Sequence, residues 1–333
     1  MYDKVKLWID RYYMGEQFYM LANYLDKAQQ QTDLNTGEVK TFGSLEGLKV
    51  TILMGGVSIV GSLPKFLYNS NVYSMSREAT AQAIEKLSDS LHIDAAVAAV
   101  TELEFGTNFQ MKHPVPNYLS KLGSMPRLQR YHFDPSTLYY KGKGKQQPKV
   151  FALYDKIADA KAKGMSLPED LKPANLLRYE MRLKGRLAKQ LSVCQLTAST
   201  LTEVGFYDMM VERYKDSYFS ISKQTQIKTN AMCEIKTVTD AFNVFVARLL
   251  SKTDPDQISG FLDELKEGEV FEDCKYYSRL KKKLETIATK ADIVVSDELI
   301  KELDEDIKNY CCPLKLFIQN KLGLTLLTKY QPF

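Results

Sequence analysis

The first half of the chain alternates between short apolar runs with the two-residue period of strands and stretches with the 3.6-residue period of helices. Gly55 and Gly56 separate two strand-like runs, which is typical of a hairpin. Ser76 occupies the position expected of a helix N-cap. The predicted strands cover residues 4–9, 48–54, 57–63, 96–111, 129–133, 137–141, 149–154 and 176–184, and the predicted helices cover residues 16–31 and the stretch after Ser76. This pattern predicts an α+β fold with a central antiparallel sheet flanked by helices.

After about residue 192 the strand-like runs give way to helical spacing. The predicted helices there cover residues 201–214, 237–250, 257–266, 276–289 and 297–309. We therefore predict two domains. Residues 1–192 carry the sheet, and residues 193–333 form a mainly helical domain.

Charge is distributed unevenly along the 333 residues, although the formal net charge is only +4. Residues 111–190 contain 17 Lys and Arg against 6 Asp and Glu, whereas the rest of the chain is acidic. Such a basic block is typical of a surface that binds a polyanion, and a solvated face without a partner is the alternative. The apolar fraction of 44% and charged fraction of 26% exclude collagen-like, coiled-coil and fully disordered chains.

The five cysteines include no CxxC pair, which argues against a disulfide framework and a zinc site. Free thiols suit a reducing compartment. The charged start is unlike a signal peptide, and no apolar run approaches the length of a membrane span. We therefore expect a cytoplasmic protein with no membrane partner.

Carboxylates in two predicted strands are candidates for a metal site. Glu102 and Glu104 lie two residues apart and so face the same side of their strand. Neighbouring carboxylates repel each other unless a cation lies between them, and oxygen ligands suit Mg²⁺ or Mn²⁺. Glu180 lies between Arg178 and Arg182 on another strand. It could add a third ligand beside two phosphate-binding arginines. Carboxylates facing water and a ladder of surface charges remain open alternatives.

Tyr154 ends an apolar run directly after the basic segment 141–145 and precedes Asp155 and Lys156. A tyrosine hydroxyl can attack a phosphodiester when a metal or a basic side chain stabilises the departing charge. The chain has 20 tyrosines, so a packing role is the commoner alternative from context alone. The sequence contains no GxxxxGK[ST] and no GxGxxG motif, which disfavours an ATPase or a dinucleotide enzyme.

Several segments together resemble the rolling-circle replication initiators of the phage and plasmid gene II/gene X type. Residues 137–156 (TLYYKGKGKQQPKVFALYDK) resemble their catalytic hairpin, and residues 177–186 (LRYEMRLKGR) resemble its companion strand. Residues 100–109 (VTELEFGTNF) take the place of their metal-binding strand. Residues 57–71 and 271–285 are similar to further segments of that family. The resemblance follows most of the chain in order and implies a sheet of the HUH-endonuclease type.

The resemblance implies a site-specific DNA endonuclease and strand transferase that works through a 5′-phosphotyrosyl intermediate. By position, Tyr154 matches the nucleophile and Lys156 the residue that stabilises the phosphate charge. Glu102 and Glu104 match the metal-ligand strand, and Glu180 matches the acidic residue of the third strand. This chain departs from the best-known relatives because it lacks their paired-histidine metal strand, and carboxylate ligands favour Mg²⁺ or Mn²⁺ over softer metals. The expected DNA-binding residues are Lys141, Lys143, Lys145, Lys149, Arg178, Arg182 and Arg186.

The expected partner is origin DNA, single-stranded or supercoiled, in the cytoplasm of a bacterial host cell, with host helicase and DNA polymerase as possible further partners. Two alternatives remain. A non-catalytic DNA-binding regulator of replication or transcription would bind DNA without cleaving it. A metal-dependent nuclease that uses water would not need Tyr154. Convergence of Tyr154 with the carboxylates would favour the covalent enzyme.

Overall fold

The structure is a computed structural model, and it describes residues 1–72, 74–164, 175–228, 230–290 and 293–312.

Within these residues, ten strands form one sheet in which all neighbours are antiparallel. The strands are β1 (Tyr2–Asp10), β2 (Asp26–Thr32), β3 (Val39–Leu45), β4 (Leu48–Leu53), β5 (Gly56–Ser62), β6 (Ala99–Met111), β7 (Gln129–Asp134), β8 (Thr137–Lys141), β9 (Lys149–Asp155) and β10 (Asn175–Lys184). Their order is β2-β3-β4-β5-β1-β6-β10-β9-β8-β7, so β6 and β10 lie near the middle. The predicted antiparallel sheet with helices is confirmed.

The helices flank the sheet and dominate the chain after residue 200. The α-helices are α1 (Leu63–Tyr68), α2 (Arg77–Leu91), α3 (Val115–Leu119), α4 (Lys156–Ala162), α5 (Leu187–Leu191), α6 (Val204–Phe219), α7 (Val238–Lys252), α8 (Pro255–Glu267), α9 (Lys275–Ala288) and α10 (Glu298–Tyr310). A short pair of strands, β11 (Thr225–Ile227) and β12 (Val294–Ser296), lies among them. The five predicted C-terminal helices are confirmed as α6 to α10.

One face of the sheet is apolar and packs against helices. Leu103, Phe105 and Tyr179 point to this face and are fully buried. The hydroxyl of Tyr214 in α6 donates to the carbonyl of Tyr179 at 2.9 Å, which joins helix and sheet through a buried hydrogen bond. Because side chains alternate along a strand, the intervening polar residues of β6 and β10 fall on the opposite face.

Residues after 192 take part in two apolar cores. The first is the core of the sheet, to which α6 and α10 contribute Tyr207, Met210 and Leu303 among others. The second is smaller and centres on Val244, Ala247 and other residues of α7, α9 and β12. The division into residues 1–192 and 193–333 stays a prediction, and its last part, residues 313–333, lies outside the described residues.

The helix predicted over residues 16–31 is wrong in its second half. A 3₁₀ helix covers Gly15–Tyr24, and the chain then enters β2, which is exposed along its whole length. Phe18, Leu21 and Leu25 are buried. The polar run after Leu25 has no apolar face to bury as a helix, and pairing with β3 satisfies its backbone instead.

The predicted N-cap and the predicted hairpin are confirmed. The Ser76 hydroxyl accepts from the Ala79 amide at 3.1 Å and caps α2. Met54 and Gly55 form the turn between β4 and β5, and Gly56 is the first residue of β5. All five cysteines are free thiols. Among the described helices, none combines the length and apolar character needed to cross a membrane.

The central strand β6 provides a test of the sheet core. Leu103 is completely buried, whereas Leu34, in the turn between β2 and β3, is 94% exposed. Leu103→Ala is expected to lower the free energy of unfolding by about 2–5 kcal/mol through lost burial and a residual cavity. Leu34→Ala should leave it nearly unchanged. Urea unfolding measures both, and equal effects would contradict this placement of the core.

Candidate active site

Glu180, on the polar face of β10, has a small residue beside it on each neighbouring strand. Glu180 pairs with Gly106 of β6 on one side and with Ala152 of β9 on the other. A Cβ atom added at Gly106 would lie 2.5 Å from the Tyr179 carbonyl oxygen and 3.0 Å from Cγ of Glu180. Position 106 therefore has no room for a side chain, and its glycine leaves space for the Glu180 carboxylate in the middle of the sheet.

A bulge in β1 brings Asp3 to the same face. Tyr2 pairs with Phe105 and Val5 with Leu103, so three steps along β1 match two along β6. Both Tyr2 and Val5 face the core, and the extra residue lets the Asp3 side chain turn to the polar face. The Ser62 hydroxyl donates to Oδ1 of Asp3 at 2.5 Å and helps to hold it there.

A buried ionic network connects these carboxylates. Arg178 is only 2% exposed and donates from Nη2 to Asp3 and from Nε to Glu180. Its Nη1 donates to Oδ1 of Asn108 at 3.3 Å. Arg182 reaches the other oxygen of Glu180, with Nη2 at 2.6 Å and Nε at 2.9 Å. Charges buried this deeply persist only when they are paired and hydrogen-bonded, as they are here.

The carboxylates differ in their affinity for a proton. Burial alone would raise the pKa of Glu180, but the charges of Arg178 and Arg182 outweigh it and lower that pKa to about 2. Burial, and then the negative charge of Glu180, raise the pKa of Glu104. The guanidinium of Arg182 opposes this rise from a distance of 3.9 Å. Of these two carboxylates, Glu104 therefore binds a proton more readily.

Asp3, Glu104 and Glu180 are placed to hold a metal ion. One oxygen from each lies within 4.8 Å of the others. A donor set of carboxylate oxygens fits a hard cation such as Mg²⁺ or Mn²⁺. The pKa of Glu104 is raised first by burial and then by the charge of Glu180, and a bound cation would favour its ionised form. The two arginines share Glu180 and would compete with a cation for its oxygens.

Tyr154 lies beside this cluster. Its hydroxyl donates to Oε1 of Glu180 at 2.8 Å, because β9 places Tyr154 opposite Arg178 on the polar face. The residue is 8% exposed. Burial and the charge of Glu180 raise the pKa of Tyr154 well above its ordinary value, although Arg178 opposes the rise. The phenol is therefore protonated at rest, and its proton points to a carboxylate.

Lys156 begins α4 directly after β9 and is almost completely buried. Its Nζ lies 3.4 Å from Oδ1 of Asn71 and 4.0 Å from a carboxylate oxygen of Asp159. Burial, and then the charge of Arg178, lower the pKa of Lys156 to about 8. Lys156 thus supplies a further positive charge at the end of β9, and its ion pair with Asp159 is long.

Glu102 lies on the same face but outside the cluster. Its carboxylate is 3.2 Å from Nζ of Lys184 and 3.8 Å from Nζ of Lys6. It lies two positions from Glu104 along β6, and Asp3 contributes the third cluster carboxylate instead. The cluster thus includes two of the three carboxylates named from the sequence.

The basic residues named from the sequence are divided between different environments. Lys141 is half-buried at the end of β8, and Lys143 and Lys145 are exposed in the following loop. Arg182 is partly exposed at the margin of the cluster, whereas Arg178 is enclosed by its carboxylate partners. Lys149 turns to the apolar face, where its Nζ lies 4.8 Å from the Phe151 ring centroid.

Arg186 lies beyond β10, at the start of α5, where it lines a surface pocket with Leu187 and Leu196. His113, an exposed residue, follows the end of β6 and is not part of the carboxylate cluster.

Sequence reasoning missed Asp3, Asn108 and Gly106. The signal for Asp3 was present in the sequence, because two polar residues, Asp3 and Lys4, separate Tyr2 from Val5 where strict alternation allows one. Asn108 and Gly106 carried no comparable signal. Their roles depend on which residues of β10 lie opposite them.

Carboxylates and a tyrosine thus converge on the polar face of this antiparallel sheet. A family model that describes the N-terminal region of a phage replication-associated protein matches residues 1–205, and the chain belongs to this family. The resemblance to initiators of the gene II/gene X type is confirmed.

Among solved structures, the chain is similar to a rolling circle replication initiator protein from Geobacillus stearothermophilus. The TM-score is 0.38 and the sequence identity 10%, over 69% of this chain and 88% of that one. The comparison with curated proteins finds no match.

The pKa of Lys156 predicts a pH dependence of stability. An unfolded lysine has a pKa near 10.4, so between pH 8 and about 10 the unfolded chain binds more protons than the folded one at this position. Stability at this residue therefore rises with pH across that window. Lys156→Met removes this contribution.

The free energy of unfolding, measured by denaturant titration from pH 7 to 10, should reveal the effect. Any stability advantage of Lys156→Met over the unmodified chain should be largest at pH 7 and shrink by pH 10. Lys143→Met, in the exposed loop, is the matched control. A pH-independent difference for Lys156→Met would contradict the lowered pKa.

The carboxylate cluster predicts selective loss of metal binding. Glu104→Gln should weaken Mn²⁺ binding by about tenfold or more, since it removes a charged ligand. Glu102→Gln, two residues along the same strand, should bind Mn²⁺ nearly as well as the unmodified chain. Electron paramagnetic resonance of free and bound Mn²⁺ measures both affinities, and the reverse order would place the ion at Glu102.

Proposed function

We propose that this protein initiates rolling-circle replication by nicking one DNA strand at an origin through a covalent phosphotyrosyl intermediate. The observation that supports the proposal is the convergence of Tyr154 with Asp3, Glu104 and Glu180 on one face of the sheet. Membership of a family of replication-associated proteins is consistent with it.

The proposed reaction is a transesterification at phosphorus. Oη of Tyr154 forms a bond to the phosphorus atom while the bond to the 3′ oxygen breaks, which leaves a 5′-phosphotyrosyl link and a free 3′ hydroxyl. The phenol proton leaves along its hydrogen bond to Glu180, passes to the carboxylates of the cluster, and is transferred to the departing 3′ oxygen, which becomes the 3′ hydroxyl. Glu104, whose pKa is raised, is the cluster carboxylate better able to carry that proton between the two steps. The reverse reaction rejoins the strand, so no nucleotide cofactor is required.

The surrounding cations would act on the phosphate. Arg182, at the margin of the cluster, is better placed to contact a phosphate oxygen than the enclosed Arg178. Lys156 adds positive charge beside Tyr154. A Mg²⁺ or Mn²⁺ ion held by Asp3, Glu104 and Glu180 would stabilise the charge that develops on the phosphate and the leaving oxygen.

The proposed DNA surface continues to the loop after β8, where Lys141, Lys143 and Lys145 lie. Origin DNA in the cytoplasm of a bacterial host is the proposed substrate. Host helicase and DNA polymerase remain predicted partners. Lys149 is left out of this surface because it turns to the apolar face.

The nucleophile can be tested with a labelled single strand that carries a candidate origin, incubated with Mn²⁺. The unmodified chain should become covalently attached to the 5′ side of the cut, as seen on a denaturing gel. Tyr154→Phe should lower the adduct yield by roughly a thousandfold or more, with DNA affinity nearly unchanged.

Tyr139→Phe is the matched control, because Tyr139 is half-buried in the neighbouring strand, two positions across the sheet from Glu180. It should form the first adduct normally. Tyr140 is unsuitable because it is buried and its hydroxyl donates to the Gly123 carbonyl at 2.8 Å. Normal cutting by Tyr154→Phe would indicate a nuclease that uses water. Binding without cutting at any metal concentration would indicate a regulator.

A further inference from the structure

Two aromatic side chains lie on the edge strand of the sheet beside the basic loop. The rings of Tyr131 and Phe133 in β7 are stacked, with centroids 5.8 Å apart and planes inclined by 23°. Phe133 is 70% exposed, so its ring is accessible to a ligand. The Tyr131 hydroxyl donates to Oε1 of Gln129 at 2.6 Å and restrains its ring.

A cation accompanies these rings. Nζ of Lys141 lies 4.4 Å from the centroid of Tyr131 and 5.6 Å from that of Phe133. Lys143 and Lys145 follow in the exposed loop. A partner for this surface should therefore be both aromatic and anionic. A nucleotide has both properties, whereas an apolar protein surface would leave the lysines without anionic partners.

The strand register places the aromatic pair on the same face as the carboxylate cluster. Tyr131 pairs with Tyr139, Tyr139 with Ala152, and Ala152 with Glu180. Directly paired residues point to the same face, so these four side chains form one row across the sheet. Three strand spacings separate Tyr131 from Glu180, about 14 Å. That distance corresponds to about four nucleotides at the spacing of a stacked strand, and fewer if the strand is extended.

Arg182 and Tyr139 are the partly exposed residues between the two sites, and Ala152 is buried between them. The Arg182 guanidinium lies 5.9 Å from the Tyr139 ring centroid. A strand whose phosphate lay at the cluster would pass over the Arg182 and Tyr139 side chains to reach β7.

We propose that Tyr131, Phe133 and Lys141 form a stacking site for an unpaired base of the DNA strand held at the cluster. The proposal depends on the proposed function only for the identity of the ligand as single-stranded DNA. The site would take a base a few nucleotides from the scissile phosphate. Stacking accepts any base, so the site would orient the strand without reading its sequence.

Two single-stranded probes separate base stacking from charge. The first is a fluorescein-labelled oligothymidylate of about 15 nucleotides, which is within the range of single-strand site sizes, and the second is an abasic strand of equal length with the same phosphates. Phe133→Leu keeps an apolar side chain but removes the ring. It should weaken binding of oligothymidylate by roughly 5- to 100-fold, and leave binding of the abasic strand unchanged. Phe133→Trp should restore binding.

Phe42→Leu is the matched control. Phe42 is also an exposed aromatic of a strand in this sheet, but lies in β3 toward the opposite edge. It should bind both probes like the unmodified chain. Fluorescence anisotropy at fixed salt measures the affinities, and thermal unfolding checks that each variant is folded.

Several results would overturn the proposal. One is that Phe133→Leu binds oligothymidylate as tightly as the unmodified chain does, and another is that it loses the same affinity for both probes. A third is that Phe133→Leu changes the sedimentation coefficient of the protein without any loss of affinity specific to oligothymidylate, which would indicate that the β7 edges of two copies pair. Failure of the proposed function looks different. A regulator would retain the base-dependent loss in Phe133→Leu without forming an adduct with Mn²⁺. A nicking enzyme without this stacking site would form the adduct and show no such loss.

Discussion

The buried ion pairs of Arg178 are the constraint on which the rest of the site depends. This guanidinium joins Asp3 of β1 to Glu180 of β10, two strands apart in the sheet, with β6 between them. Removing it would leave Asp3 without a cationic partner, and Glu180 with Arg182 alone, in a region almost without solvent. Glu180 in turn binds Arg182 and accepts from Tyr154. The positions of the candidate nucleophile and the candidate metal ligands are therefore coupled through one residue.

The two faces of the sheet have different roles: the apolar face packs against the helices, and the polar face carries the candidate site. Alternation along β6 and β10 puts Leu103, Phe105 and Tyr179 against the helices and leaves Glu104 and Glu180 on the polar side. The apolar face holds the strands in register, and the register decides which polar groups meet. Residues on paired strands are held in position more precisely than residues on a loop. A central position in the sheet therefore suits a site that must hold like charges close together.

Sequence patterns predicted much of this arrangement. Strand periodicity indicated β6, β9 and β10, and the resemblance identified Tyr154, Glu104 and Glu180, which the structure brings together. For two of the predicted site residues, the surroundings depend on the opposite strand. Glu102 pairs with lysines outside the cluster. Lys149 turns to the apolar face because it is two positions from Phe151 along β9, and residues two apart on a strand face the same side.

By itself the sequence determined the α+β class, the helices after residue 200, the concentration of positive charge in residues 111–190 and the motifs of the replication family. These properties are local, since periodicity, charge and motif spacing involve residues close along the chain. Only the tertiary structure decided that Asp3 joins the cluster through Arg178, which is 175 positions away along the chain. It also decided that Tyr131 lies in the same row across the sheet as Glu180. A bulge and the strand order decide these contacts, and both follow from pairing between distant segments.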